Sequence, residues 1–212
     1  MTIPTLVIGD KNLSSWSLRP WLALRAFGVD FEELRLPLDT PEFRARIGEF
    51  SPTGKVPALL HDGVAVWESL AILEYINETF LDGRGWPRER APRAHARAIA
   101  AEMHAGFAAL RRELPLNLKR RGTPATPGPE AARDIARVQQ LWRDARARFG
   151  TGGPFLFGGF GLADAMYAPV ALRFVVYGVV LTAEAQAYVE AITALPAVIE
   201  WRAAAEAERE RG

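Results

Sequence analysis

Three short stretches in the first third of the chain hold side chains whose types and spacing could do chemistry. The first is NLSSWSLRPW, residues 12–21, where Ser14 and Ser17 stand at the spacing of a Cys-x-x-Cys redox pair at the mouth of an expected helix. The chain has no cysteine at all, so the site has a redox shape and no sulfur of its own. A serine there ordinarily caps the helix by accepting a hydrogen bond from a free N–H group. It cannot act as a nucleophile without a base, and neither His61 nor His104 is placed by the sequence to serve it.

The second stretch is Gly54-Lys55-Val56-Pro57-Ala58-Leu59. It reads either as an edge strand that tolerates proline or as a cis Val56–Pro57 bond, which only ~5–6% of X–Pro bonds adopt. The cis form would turn the Val56 backbone outward to pair with an extended peptide. The third is Glu68-Ser69-Leu70-Ala71-Ile72 at a helix start. It reads as a helix capped by serine, or as an anion site in which the Ser69 hydroxyl and the free helix N–H groups hold a carboxylate.

The elements that must position these groups follow from periodicity and turn signals. Thr5–Ile8, an expected helix over Ser15–Phe27 with Pro20 as an interior oddity and Gly28 as its stop, and Phe31–Leu36 read as strand, helix and parallel strand. A short irregular helix is expected over Pro41–Gly48. Val56–Leu60, the turn at Asp62-Gly63 and Val64–Trp67 form a hairpin. An amphipathic helix follows over Glu68–Phe80, with Leu70, Leu73, Ile76 and Phe80 on one face. DGRGWPRERAP then reads as a connector. Every periodic segment beyond it is helical: Arg90–Arg121, Pro129–Phe149, Leu162–Tyr177, Thr182–Ala194 and Pro196–Glu210. The expected organisation is a small α/β domain over residues 1–80, a linker over 81–91 and an all-helical domain over 92–212.

Composition narrows the function class. The chain has 212 residues, 49% hydrophobic and 24% charged, with net charge +1, so disorder is not expected and no polyanion is called for as partner. Basic residues gather between Arg84 and Arg148, where solvated helix faces account for them. The start lacks a secretory pattern, and the apolar run Val170–Leu181 is broken by Arg173 and Gly178, too short to span a bilayer. No membrane or nucleic-acid partner is expected. The three histidines show no ligand spacing, so no metal is expected. The lack of cysteine suits the cytoplasm.

Taken together and in this order, the three stretches resemble the glutathione transferase superfamily, whose fold joins a thioredoxin-like N-terminal domain (βαβαββα) to an all-helical C-terminal domain. The resemblance covers essentially the whole chain. S-S-W-S-L-R is similar to the S-S-C-S-x-R pattern of the zeta class, and Gly161-Leu162-Ala163-Asp164 to the family's S/T-x-x-D capping box. The resemblance implies glutathione as cosubstrate, with Ser14 donating a hydrogen bond to its sulfur and Ser15 as the substitute if the register slips by one. It implies that Val56 pairs with the cysteinyl backbone, that Pro57 is cis, that Glu68 and Ser69 bind the γ-glutamyl end and that Lys55 lies near the glycyl end. It further implies a homodimer, and a detoxifying enzyme that conjugates, isomerises or dehalogenates a small electrophile.

That electrophile would lie between the domains against Trp16, with His104, Phe107 and Arg111 on one helix face at i, i+3, i+7. Domain packing accounts for that spacing equally well. Arg173, a charge inside an apolar stretch, either pairs elsewhere or meets an acidic substrate group. Two positions depart from the pattern. Trp16 replaces the zeta cysteine, and Gly161 replaces the usual Ser/Thr cap. The alternatives are a maleylacetoacetate isomerase-like enzyme and a non-catalytic binding module. A glutathione-dependent oxidoreductase of the thioredoxin-fold kind ranks last, because a chain without cysteine cannot form a protein mixed disulfide.

Overall fold

The computed structural model describes residues 2–208. Thr5–Ile8 (β1) leads into the helix Ser15–Ala26 (α1), which runs through Pro20 and closes where Gly28 takes φ +69°. Glu32–Arg35 (β2) pairs with β1 in parallel, as the strand–helix–strand reading expects. The expected irregular helix over Pro41–Gly48 is an α-helix, Pro41–Arg46 (α2), followed by a 3₁₀ turn over Ile47–Glu49.

Ala58–His61 (β3) and Val64–Trp67 (β4) form the expected hairpin, with Asp62 and Gly63 both at positive φ in the turn. β3 begins two residues later than the expected Val56, because Pro57 has no N–H for the ladder and pairing with β1 starts at Ala58. The sheet order is β2-β1-β3-β4, and Ser69–Thr79 (α3) follows.

The second half is helical: Arg90–Ala105 (α4), Ala108–Glu113 (α5), Pro129–Phe149 (α6), Leu162–Val176 (α7), Ala183–Thr193 (α8) and Pro196–Ala207 (α9). One expectation fails here. The single helix over Arg90–Arg121 is broken after Ala105, where Gly106 is extended and Phe107 is left-handed at φ 57°. Gly106 closes α4 by donating to the Glu102 carbonyl at 2.8 Å, and a Cβ there would stand 2.7 Å from that same oxygen. Beyond Glu113 the chain leaves helix altogether. The Leu118 and Lys119 N–H groups turn to the backbone and side-chain oxygens of Asn12. The expected end of α9 at Glu210 lies outside the described residues.

One face of the sheet (Leu6, Ile8, Leu59) joins α1, α3 and the later helices in a continuous apolar core that reaches Trp142, Tyr167 and Trp201. Period-two alternation sends Val7 and Ala58 to the other face, where Leu36 and Ile47 cover them. The two halves are therefore packed through α1, which lies against α7 and α9. No helix among the described residues is long and apolar enough to cross a membrane.

Candidate active site

The three stretches named from sequence converge on one cavity of about 190 Å³. Its lining consists of Trp16 at the start of α1, Thr53, Lys55, Val56 and Pro57 before β3, Glu68 and Ser69 at the start of α3, and His104 near the end of α4. All but Thr53 were expected. Thr53 arrives through the turn Ser51-Pro52-Thr53-Gly54, where Ser51 Oγ and Thr53 Oγ1 share a 3.0 Å hydrogen bond. The composition of that turn signals a loop and nothing about a site.

Several backbone and hydroxyl groups of the lining are left without partners. The Val56–Pro57 bond is cis. Neither the N–H nor the C=O of Val56 meets a backbone partner among the described residues. Ser69 is 1% exposed, and its buried Oγ has no hydrogen-bond partner. Buried polar groups are normally satisfied, so an orphaned hydroxyl at a helix N-terminus facing a cavity fits an anionic ligand there. Glu68 precedes it at φ +67°, a rare conformation for glutamate, and its carboxylate stands 3.5 Å from His104 Nε2 across the two halves of the chain. Lys55 is exposed and has no carboxylate partner among the described residues.

Ser14 is the N-cap of α1, as its residue type suggests. Its Oγ accepts from the Ser17 N–H at 3.3 Å and lies 2.7 Å from Ser17 Oγ, which in turn accepts from the Gly9 N–H at 3.1 Å. Ser15 is the first residue of the helix, and its Oγ accepts from Arg173 Nη2 at 3.0 Å. Neither serine lines the 190 Å³ cavity. They precede Trp16, which does line it, by two residues and by one.

The group expected against Trp16 divides. His104 packs edge-on to the indole with ring centroids 5.5 Å apart, and the Arg111 guanidinium lies 5.4 Å from the ring. The break at Gly106 carries Phe107 away into the core, where it is 7% exposed. The shared helical face is thus overturned, although the turn still brings His104 and Arg111 to the same ring. Sequence reasoning missed Arg19, which lies 4.0 Å over Trp16 and is wholly buried. A charge three residues after Trp16 was the available signal.

Arg173 pairs with neither Asp164 nor any other carboxylate among the described residues. Asp164 instead accepts from the N–H groups of Leu156 and Gly161 and from the Tyr188 hydroxyl. Burial raises its acid to about 6 against those bonds. The Gly161 position thus keeps the reciprocal half of a capping box without a cap side chain.

A larger hollow, about 910 Å³, lies between the β1–α1 loop, β2 and α9. Its charges compensate one another: Lys11 with Glu33 at 2.8 Å, and Arg35 with Asp10 at 3.0 Å and Glu208 at 3.4 Å. The small cavity is the one with unmatched groups. No cluster of histidine and carboxylate among the described residues could hold a metal ion.

Residues 13–79 match the family model of the glutathione S-transferase N-terminal domain. Over 104 residues the chain is 38% identical to a Caenorhabditis elegans protein named probable maleylacetoacetate isomerase, covering 49% of this chain and 48% of that one. It is 34% identical over 107 residues to the maleylacetoacetate isomerase of Rattus norvegicus, covering 49% of each. The chain therefore matches about half the length of these curated relatives. In three dimensions it is similar to a Burkholderia glutathione transferase homologue with bound glutathione, at TM-score 0.73 and 24% identity over 97% of this chain and 99% of that one. That likeness establishes the fold along nearly the whole chain.

Proposed function

We propose that the chain is a member of the glutathione transferase superfamily, that the cavity binds glutathione and that the protein ionises its thiol for attack on a small electrophile. The observation that carries the reading is the convergence on one cavity of an unpaired Val56 backbone and an orphaned Ser69 hydroxyl, with the N-terminus of α1 at its edge. In this reading the cysteinyl backbone pairs with Val56 beside Pro57. The γ-glutamyl carboxylate meets Ser69 and the free N–H groups of α3, its amine meets Glu68, and the glycyl carboxylate lies toward Lys55.

The sulfur then sits at the start of α1, where Ser14 donates a hydrogen bond to it. A thiol is mostly protonated at neutral pH. Lowering its pKa by about two units needs ~2.7 kcal/mol. A hydrogen bond to a charged group supplies roughly 1.5–3 kcal/mol, and a helix N-terminus ~0.3–1, or up to ~2 when partly buried. These two sources suffice.

The electrophile lies against Trp16, His104 and Arg111, with Phe107 in the packing behind them. A second reading, glutathione-dependent cis–trans isomerisation, is favoured by the names of the curated relatives. Trp16 in place of the zeta cysteine argues for a different substrate. A non-catalytic module would be retained on immobilised glutathione yet act on no chloroarene, epoxide or maleyl compound. A second copy of the chain is the proposed partner, which light scattering would reveal.

Ser69→Ala should weaken glutathione binding by ~1–3 kcal/mol, roughly fivefold to over a hundredfold, with folding intact. Calorimetric titration measures this directly. An equal Kd would remove Ser69 from the site.

A further inference from the structure

We infer that Arg173, with Arg19 beside it, is a buried cationic support for the ionised sulfur, acting through the hydroxyl of Ser15. The inference rests on the glutathione-binding reading above. Arg19 is wholly buried and Arg173 is 3% exposed. Arg173 Nη2 donates to Ser15 Oγ at 3.0 Å, while Arg19 Nη1 donates to the Ser15 carbonyl at 2.9 Å and Nε to the Met166 carbonyl at 3.0 Å. The remaining N–H groups are orphaned: Nε and Nη1 of Arg173 and Nη2 of Arg19 are buried with no partner. Neither guanidinium has a carboxylate within salt-bridge distance among the described residues.

The charges around them have the same sign. Burial lowers the Arg19 pKa, and the neighbouring Arg173 and Arg111 lower it further. Burial and then Arg111 lower that of Arg173 to about 10, so it stays charged at neutral pH. The other titratable groups facing the cluster are two phenols, those of Tyr167 and Tyr177. His104 reaches it only through the Trp16 ring, and its charged partner Glu68 lies on the cavity side.

A buried cation without an anion is costly, and this chain holds two side by side on one serine. The missing anion must lie within reach of that serine. Ser15 is the first residue of α1 and borders the helix N-terminus at which the sulfur is held. Its oxygen already accepts from Arg173, so its own proton is free to donate outward. Accepting from a cation polarises a hydroxyl and makes it a stronger donor. Arg173 touches no reacting atom in this arrangement and is a positioning residue: it completes a relay from guanidinium to hydroxyl to thiolate. The Ser14 cap, by contrast, is backed only by the neutral Ser17 hydroxyl and the Gly9 amide.

The test is the ultraviolet titration of the thiol of bound glutathione in the wild type, Arg173→Met, Arg173→Lys and Ser15→Ala, with S-methylglutathione as a probe of binding that has no thiol to ionise. Arg173→Met should raise the apparent thiol pKa by about one unit or more, and Ser15→Ala should do the same. Arg173→Lys should keep most of the wild-type shift. Affinity for S-methylglutathione should not change in any of them. The Tm of Arg173→Met should equal or exceed that of the wild type, because apolar volume replaces an uncompensated charge; a residue with a merely structural role would lower Tm and leave the thiol pKa alone. Variants that bind S-methylglutathione but titrate as the wild type would overturn the inference and leave the glutathione reading standing. If Arg173→Met does not fold, Arg173→Lys and Ser15→Ala decide the matter on the same titration. A wild type that does not bind S-methylglutathione would overturn the reading and the inference with it.

Discussion

Replacing Asp164 with alanine should lower stability by about 3–5 kcal/mol and Tm by roughly 10 °C, the largest loss expected for any single side chain outside the apolar core. Asp164 is wholly buried at the start of α7. Its Oδ1 accepts from the Leu156 N–H at 3.1 Å and the Tyr188 hydroxyl at 3.0 Å, and its Oδ2 from the Gly161 N–H at 2.9 Å. Three donors from three parts of the second half are thus satisfied by one carboxylate. Each donor left buried and unpaired costs ~1–3 kcal/mol, and relaxation keeps the sum below simple addition.

The same carboxylate sets a pH dependence. Burial raises its pKa from 3.8 to about 6, so between those values the folded state holds a proton that the unfolded state has released. Stability then falls as pH rises through about 4 to 6, and acidification through that window recovers up to roughly 3 kcal/mol. Relative to Asp164→Asn, which cannot titrate, the wild type should therefore gain stability between pH 7 and pH 5. Thermal unfolding of both across that range measures the slope. Parallel curves would show that the acid titrates at its ordinary value.

Ser14→Ala should raise the apparent pKa of bound glutathione by about one to two units, the effect of losing a hydrogen bond worth roughly 1.5–3 kcal/mol to a charged group, and slow turnover at pH 7 about threefold to 25-fold as the thiolate fraction falls. Because Ser14 also caps α1, the variant should lose about 1 kcal/mol of stability as well. The two losses separate by pH. A cap defect lowers Tm and leaves the pH–rate profile in place, whereas loss of the sulfur's partner moves the profile to higher pH and restores turnover there. An unmoved profile would remove Ser14 from the chemistry.

Much of this arrangement was legible because it rests on short-range patterns. Thr5–Ile8, the Asp62-Gly63 hairpin and the helix after Glu68 follow from alternation and turn chemistry, and the last two set Pro57 and Ser69, which line the cavity, at an element's start. The break at Gly106 was not legible. An isolated glycine in an alanine-rich helical stretch costs only ~1 kcal/mol, and the left-handed Phe107 that completes the break is selected by its burial in the core. Extending α4 to Arg121 therefore set Phe107 on the same face as His104, where it does not lie. The partner of Arg173 was also beyond reach. The hydroxyl it meets is 158 residues away in sequence, and that contact exists only because α1 packs against α7. An arginine in an apolar run announces an unmatched charge, and the tertiary structure decides what is set against it.

The two serines that open α1 gain separate parts from this geometry. Ser14 closes the helix end and faces Ser17, while Ser15 receives a buried cation. Under the proposed function, this Cys-x-x-Cys spacing without sulfur is a cradle for sulfur supplied by the cosubstrate.

The central claim is that the chain binds glutathione and ionises it, and the most direct measurement is the thiolate absorbance of the wild-type complex followed across pH. Saturable binding, with the bound thiol titrating about two units below an ordinary thiol near 8.5 and mostly ionised at pH 7, is the predicted result. Absence of binding, or a bound thiol that titrates as it does in free solution, would contradict it.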